Sequence, residues 1–113
     1  MTDICLADRA CVPCQGGVPP LTEAEFAPLL AELEGWTVVD GHHLDKTFGF
    51  DDFASALAFT NTVGAVAEEA WHHPDLELAW GRVRVTVWTH KIDGLAEADF
   101  VFAAKVDRLE HPE

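Results

Sequence analysis

The sequence predicts an α+β fold, an α-β-β-α-β-β-α sandwich in which a four-stranded antiparallel sheet carries three helices on one face. Two observations support this prediction. Segments with helical spacing of apolar residues alternate with two pairs of strand-like segments, in the order helix, two strands, helix, two strands, helix. A turn signal lies inside each pair, as is typical of hairpins. The chain has 113 residues, of which 49% are hydrophobic, and this is the size and composition of one domain.

Residues 1–20 are predicted to form an irregular arm, and residues 21–113 to form the domain. The arm is rich in proline and glycine and contains the three cysteines Cys5, Cys11 and Cys14. Cys11 and Cys14 have the spacing of half a zinc site or of a redox pair. No second pair of cysteines or histidines follows at zinc-finger spacing, so we favour reduced thiols in a cytosolic protein.

The first helix is predicted to begin at a capping box. Thr22 can cap the helix, and Glu25 stands at the answering position three residues later. We expect the helix to run to about Glu34 and to stop at Gly35. Pro28 conflicts locally with this helix, because an interior proline removes a backbone hydrogen bond.

The first hairpin is predicted to pair residues 36–39 with residues 44–50. Asp40 and Gly41 form the turn signal between the two strands. His42 and His43 lie beside this turn, and we interpret them as solvated side chains. The sequence therefore gives these two histidines no predicted part in a site.

A long second helix is predicted to follow the first hairpin. Asp51 or Asp52 can cap its start, and Pro74 fixes its end by disfavouring helical geometry at His73. Its predicted apolar stripe consists of Phe53, Leu57, Thr60, Gly64, Ala67 and Trp71, with Val63 and Val66 beside it. The pair His72–His73 therefore falls where a helix gives way to an extended chain.

The second hairpin and the last helix complete the predicted order. Residues 76–80 and 83–87 alternate apolar and other side chains about Gly81, and the second strand closes on Thr89 and His90. A turn at Asp93 and Gly94 leads into the last helix. Its predicted apolar face contains Ala98, Val101, Phe102, Val106 and Leu109, with Lys105 among them.

The charge of the chain makes several classes of partner unsuitable. Twenty acidic side chains against seven basic ones give a formal net charge of -13, which opposes binding to nucleic acid and to anionic membranes. The apolar runs are too short to cross a bilayer. The N-terminus is acidic and lacks the apolar core of a signal peptide, so we expect a cytoplasmic protein.

Three of the six histidines bracket the second hairpin. His72 and His73 precede its first strand and His90 follows its second, so the folded hairpin can bring them to one edge of the sheet. Imidazole exchanges protons near neutral pH, and Asp99 in the first turn of the last helix can orient such a ring. We therefore treat these residues as a candidate proton-transfer site.

Two other interpretations of these histidines stay open at this point. They can be solvated side chains at a helix end and after a strand, which is the commoner situation for histidine. They can also form a three-histidine zinc site, although adjacent ligands point apart on an extended chain. The residues alone do not choose between these alternatives.

The spacing of the candidate residues resembles that of a known family, the pterin-4a-carbinolamine dehydratases. The shared pattern is Glu68-x3-His72-His73-Pro74-x5-Trp80-x9-His90-x8-Asp99. The resemblance covers roughly residues 21–109, and the cysteine-containing arm is similar to the leader of many bacterial members. The chain departs from the family pattern at Ala96, where a capping threonine or serine is usual, and at Lys91, where an acidic residue is common.

The resemblance implies an activity and a set of site residues. The expected reaction is dehydration of 4a-hydroxytetrahydropterin to quinonoid dihydropterin, without a metal and without a cofactor. The expected catalytic residues are His72, His73, His90 and Asp99, with His72 and His90 in the acid and base steps and His73 mainly binding the pterin. The expected substrate contacts are Trp36 as a flat wall, Glu68, Pro74, Asp75 and Thr89. For Glu68, a solvated charge at the helix end is an equally good interpretation.

The resemblance also implies partners and rival functions. We expect a homodimer or homotetramer and a functional link to an aromatic amino acid hydroxylase. Members of the family also act as binding proteins, one as a dimerisation cofactor of a transcription factor and others as assembly factors for Rubisco. Retention of the three histidines favours the enzyme in this chain.

Overall fold

The computed structural model describes residues 19–110, so Cys5, Cys11, Cys14 and His111 lie outside the described residues. The elements are α1 (Glu23–Leu30), β1 (Thr37–Val39), β2 (His43–Gly49), α2 (Phe53–Ala70), β3 (Asp75–Ala79), β4 (Arg82–Val87) and α3 (Glu97–Glu110), with one turn of 3-10 helix at His90–Ile92 before α3. This order confirms the predicted α+β fold.

The four strands form one antiparallel sheet in the order β1-β2-β4-β3. Leu44 of β2 stands opposite Val87 of β4, and Leu76 of β3 stands opposite Val85 of the same strand. Because β2 and β4 pair antiparallel, the last residues of β4 and the first residues of β2 lie side by side. This register decides which side chains meet at the end of the sheet.

The core lies between one face of the sheet and the helices. The inward-facing residues of β4 are fully buried, and so are Leu44 and Phe48 of β2, whereas Lys46 between them is only partly buried. Helix α3 is buried on most of its surface, and Phe100 and Phe102 are both 0% exposed. Each fully buried side chain of this size contributes on the order of 1.5–3 kcal/mol, so these residues fix α3 against the sheet.

The opposite face of the sheet is polar. Arg84 donates two hydrogen bonds to the Asp45 carboxylate across β4 and β2, at 3.0 and 2.8 Å. The guanidinium of Arg84 lowers the pKa of Asp45, chiefly through these hydrogen bonds. The alternation of apolar and polar residues along β4 therefore separates the core face from a charged outer face.

Helix α1 is shorter than the sequence predicted, because it ends at Leu30 rather than near Glu34. The capping box of Thr22 and Glu25 forms as expected, with bonds of 3.3 and 2.8 Å. Pro28 lies inside the helix and lacks the N–H that would bond the Ala24 carbonyl, so the helix forms with one backbone hydrogen bond fewer. Tight turns complete the segment up to Gly35, whose φ is +78°.

Helix α2 has its core face rotated from the predicted stripe. Its buried residues are Ala56, Phe59, Val63 and Ala67. Phe53 and Leu57, which the prediction placed in the core, are 44% and 40% exposed. Both stripes have helical spacing, so periodicity alone did not distinguish them. No helix within residues 19–110 has the length and apolar character needed to span a membrane.

Candidate functional site

A cleft of about 290 Å³ opens where α2 ends and β4 gives way to the 3-10 turn. Three histidines, His72, His73 and His90, line this cleft. The remaining wall consists of Trp71, Trp88, Thr89 and Lys91. The structure thus places the three histidines that bracket the second hairpin around one volume.

The end of α2 sets the direction of the histidine pair. Trp71 ends the helix in the left-handed region with φ 55°, and the backbone N–H of His72 donates to the Ala67 carbonyl at 3.1 Å. A left-handed conformation costs a residue other than glycine about 1–2 kcal/mol. The surrounding contacts sustain this conformation, which turns His72 toward α3 and leaves His73 more exposed.

His72 is held by a buried carboxylate. Its Nε2 lies 2.5 Å from Oδ1 of Asp99, which is 0% exposed. The other oxygen, Oδ2, accepts hydrogen bonds from the Thr89 hydroxyl and from the backbone N–H of Ala96, each at 2.8 Å. A carboxylate can only accept hydrogen bonds, so with Asp99 in this form the contact requires a proton on Nε2 of His72, which donates it. Neutral His72 therefore keeps a free lone pair on Nδ1.

The absence of a capping side chain at Ala96 leaves Asp99 well held. Asp99 is the third residue of α3, and its side chain reaches back to the Ala96 N–H, which is one half of a capping box. The other half of a capping box is a side-chain hydroxyl of threonine or serine at position 96, which Ala96 lacks. Because Asp99 also bonds Thr89 and His72, it stays fixed without that cap.

His73 is paired with Glu68 on the exposed side of the cleft. Nε2 of His73 lies 2.8 Å from Oε1 of Glu68, and the two side chains are 54% and 81% exposed. The Glu68 carboxylate is therefore exposed to solvent, and it also bonds the ring of His73. Its partner is His73, whereas the residue one helical turn beyond it, His72, bonds Asp99 instead.

His90 is positioned by an aromatic contact. It opens the 3-10 turn His90–Ile92, which is closed by backbone bonds between Thr89 and Gly94. Its imidazole stacks on the indole of Trp88 with ring centroids 4.4 Å apart and an angle of 14° between the planes. The strand therefore ends at Val87, earlier than the sequence indicated, and the turn carries His90 to the rim of the cleft.

His42 and His43 are not the solvated side chains that the sequence suggested. Both are partly buried, and both contact the indole of Trp88. Nε2 of His42 lies 2.7 Å from Oδ1 of Asp93, and the Nδ1 atoms of the two histidines are 3.0 Å apart. The register of β2 beside β4 brings them there, which the local turn signal could not reveal.

Trp36 lies away from the cleft, although the resemblance implied that it forms a wall for the ligand. It is 7% exposed, and its Nε1–H donates to Oδ1 of Asp107 at 2.9 Å. The same oxygen accepts from Nζ of Lys46, which also donates to the Glu34 carbonyl. Trp36 thus belongs to a partly buried polar contact between β2, α3 and the segment before β1.

Pro74 and Asp75 are placed next to the site but not in its wall. They continue the chain from His73 into β3, where Asp75 is the first residue and is exposed. Thr89, the remaining expected substrate contact, does line the cleft, and its hydroxyl is engaged with Asp99.

Three residues of the cleft wall were not predicted from the sequence, namely Trp71, Trp88 and Lys91. Trp88 had a usable signal, because it shares the outward phase of β4 with Arg84 and lies two positions before His90. Trp71 was assigned to the apolar stripe of the helix and is in fact 80% exposed. Lys91 brings a positive charge to a wall that contains no carboxylate.

The arrangement can donate and accept protons around one small molecule. Three imidazoles face a common volume, and two of them have ring nitrogens fixed by carboxylates. Among the described residues, no group of three or more histidine, cysteine or carboxylate side chains has the geometry of a metal site. The exposed indole of Trp71 in the wall suits a planar ligand.

Comparison of the sequence with known proteins gives a consistent result. The sequence profile of the family described as Pterin 4 alpha carbinolamine dehydratase matches residues 19–109. A Rubrobacter xylanophilus protein, whose name assigns it provisionally to the pterin-4-alpha-carbinolamine dehydratases, is 61% identical over 92% of this chain and 97% of its own. An Alkaliphilus metalliredigens protein with the same name is 51% identical, over 93% of this chain and 96% of its own.

Solved structures with the same fold include a transcriptional coactivator/pterin dehydratase from Brucella melitensis. It superposes with a TM-score of 0.75 at 37% identity, over 80% of this chain and 97% of its own. A pterin dehydratase-like protein identified as a RuBisCO assembly factor in the alpha-carboxysome superposes with a TM-score of 0.58 at 29% identity. That match covers 67% of this chain and 89% of the other.

Proposed function

This chain belongs to the pterin-4-alpha-carbinolamine dehydratase family, and from that membership we propose that it dehydrates a 4a-hydroxytetrahydropterin to the quinonoid dihydropterin and water. The observation that carries the proposal is the set of three imidazoles around one cleft, with His72 bonded to the buried carboxylate of Asp99. A chain that only binds another protein has no need for this arrangement.

The chemistry requires two proton movements. The 4a-hydroxyl leaves as water after it receives a proton, and a base removes the proton from the adjacent ring nitrogen as the carbon–nitrogen double bond forms. Two imidazoles can perform these steps without a metal or a cofactor. We assign the two steps to His72 and His90, which lie on the same cleft.

Asp99 supports this chemistry by fixing one tautomer of His72. Because Nε2–H of His72 donates to Asp99, Nδ1 is the ring nitrogen that exchanges a proton. His73, oriented by Glu68 on the exposed side, binds the pterin and contributes less to the proton steps. Thr89, in the cleft wall, completes the contact surface.

The direct test is stopped-flow measurement of the dehydration of a synthetic 4a-carbinolamine, with and without the protein. The proposal expects the protein to accelerate decay of the carbinolamine absorbance above the uncatalysed rate, in proportion to its concentration. A rate equal to that of buffer would contradict the dehydratase. It would favour a binding or assembly role of the kind named for the alpha-carboxysome neighbour.

We further propose that the protein acts in the cytoplasm as a homodimer or homotetramer, in pterin recycling after an aromatic amino acid hydroxylase. Two features support assembly. The edge strands β1 and β3 each have one side unpaired within the described sheet, and α2 exposes Phe53 and Leu57. Sedimentation as a monomer at micromolar concentration would contradict the assembly.

A further inference from the structure

Trp88 lies between the catalytic cleft and a second group of histidines. Its indole stacks nearly parallel on the ring of His90, with the ring centroids 4.4 Å apart and 14° between the ring planes. Its other ring contacts are with His42 and His43, whose centroids lie 5.2 and 5.9 Å away at angles of 44° and 54°. The indole therefore contacts both the His90 ring and the histidine pair at the start of β2.

The second group of histidines, His42 and His43, is held by hydrogen bonds of its own. The Nδ1 atoms of His42 and His43 are 3.0 Å apart, so one ring nitrogen donates a hydrogen bond to the other. Nε2 of His42 bonds Asp93, which ends the 3-10 turn in the left-handed region with φ 52°. Asp93 thus ties the turn that carries His90 to the histidines that pack against Trp88.

The three cleft histidines differ in how their rings are held. His72 and His73 each bond a carboxylate, at 2.5 and 2.8 Å. Within residues 19–110, the ring of His90 makes no hydrogen bond, and the stack on Trp88 is its ring contact. An exposed side chain on a short turn, without another restraint, would sample several rotamers.

We infer that Trp88 is a positioning residue, which holds the His90 imidazole in place in the cleft that His72 also lines, and that His42, His43 and Asp93 hold Trp88. The inference rests on the proposed function, because a role in turnover requires that His90 act on the substrate. Its physical reason is that a displacement of about 1 Å at a catalytic group can cost roughly a hundredfold in rate.

Kinetics of Trp88→Leu and Trp88→Phe separate positioning from direct substrate contact. We expect Trp88→Leu to lower kcat about tenfold or more with KM changed less than about twofold, and Trp88→Phe to restore most of the rate. The matched control is Trp80→Leu, at an exposed tryptophan in the turn between β3 and β4, which should keep the wild-type rate.

A double substitution gives the decisive comparison. If Trp88 acts through His90, Trp88→Leu should have almost no further effect on kcat in a His90→Ala protein, because the group it positions is gone. A rise in KM that persists in the His90→Ala background would show that Trp88 contacts the substrate itself, and would overturn the inference. A Trp88→Leu protein with full kcat would overturn it as well.

Nuclear magnetic resonance tests the stack without activity, so that failure of the dehydratase and failure of the stack are distinguishable. The ring current of the indole should shift the His90 ring proton signals upfield in the wild type, and Trp88→Leu should return them toward the position of a solvated histidine. His42→Ala should produce part of that change, since it removes one support of Trp88. Unchanged His90 signals in folded Trp88→Leu would refute the inference.

Discussion

His72 and Asp99 lie 27 positions apart in the chain and meet through an Nε2–Oδ1 contact of 2.5 Å. The contact joins the residue just beyond α2 to the first turn of α3. The carboxylate is fully buried, and its second oxygen is occupied by Thr89 and Ala96. Any change at Asp99 therefore alters three hydrogen bonds together.

Asp99→Asn tests this carboxylate with little change in volume. The side-chain amide of asparagine has one oxygen that accepts and one NH2 group that donates. Its NH2 group must therefore face either His72 or the donors of Thr89 and Ala96. We expect kcat to fall about tenfold or more and the free energy of unfolding to fall by about 1–3 kcal/mol. Stopped-flow turnover and urea denaturation measure the two effects.

Glu69→Gln is the control for Asp99→Asn, because it makes the same change of charge at an exposed position of α2. It should leave both quantities near their wild-type values. Wild-type turnover in Asp99→Asn would remove Asp99 from the proposed mechanism.

Alanine substitutions of the cleft histidines distinguish their roles. His72→Ala and His90→Ala should each lower turnover about a hundredfold or more, the usual contribution of a general acid or base. His73→Ala should chiefly raise KM, because its ring is exposed and bonded to Glu68. His111→Ala, outside the described residues, is the control. Full turnover in His90→Ala would withdraw the assignment of His90 as a proton carrier.

Removal of metal ions tests the proposal that imidazoles act alone. Dialysis against a strong chelator should leave the dehydration rate unchanged, since no step of the proposed mechanism uses a metal. Metal analysis of the dialysed protein verifies the removal. If activity disappears on dialysis and returns with added zinc, the three-histidine zinc site becomes the better description.

Asp45→Asn probes the outer face of the sheet through pH. Arg84 lowers the pKa of Asp45 in the folded protein below its ordinary 3.8. A carboxyl with a lowered folded pKa contributes stability above its unfolded pKa, and this contribution is lost as pH falls through the folded value. Wild type should therefore be the more stable protein above pH 3.8, and the difference should shrink below it.

The measurement is the urea midpoint of both proteins across this pH range. High salt should reduce the difference at neutral pH, because Arg84 is partly exposed and its charge is screened. A difference that grows on acidification would contradict the sign of the predicted effect.

Local sequence signals predicted the order of the helices and strands well, because capping residues and turn residues mark where these elements begin or end. The capping box at Thr22 and the left-handed turn at Asp40 and Gly41 formed as the sequence indicates. The face of α2 could not be predicted, since Phe53 and Phe59 both belong to stripes of helical spacing. Only the packing of α2 against α3 and the sheet selects Phe59 for the core.

The candidate site was predicted less completely, because several of its side-chain contacts join residues that are far apart in the sequence. His72, His73 and His90 were identified by their positions around one hairpin. Trp88 was missed as a site residue, since its importance depends on the pairing of β2 with β4, which brings His42 and His43 beside it. The placement of Trp36 in the core likewise depends on Asp107 in the last helix.

Gly94 and Pro20 pack so closely that a Cβ added to Gly94 would lie 2.7 Å from Cβ of Pro20. Gly94 closes the turn that carries His90. Beside this contact, the backbone N–H of Leu21 donates a hydrogen bond to the Leu95 carbonyl, which strengthens the packing of the two segments. The two positions should therefore covary among homologues. Protein engineers should find that alanine at position 94 is tolerated only together with a smaller residue at position 20.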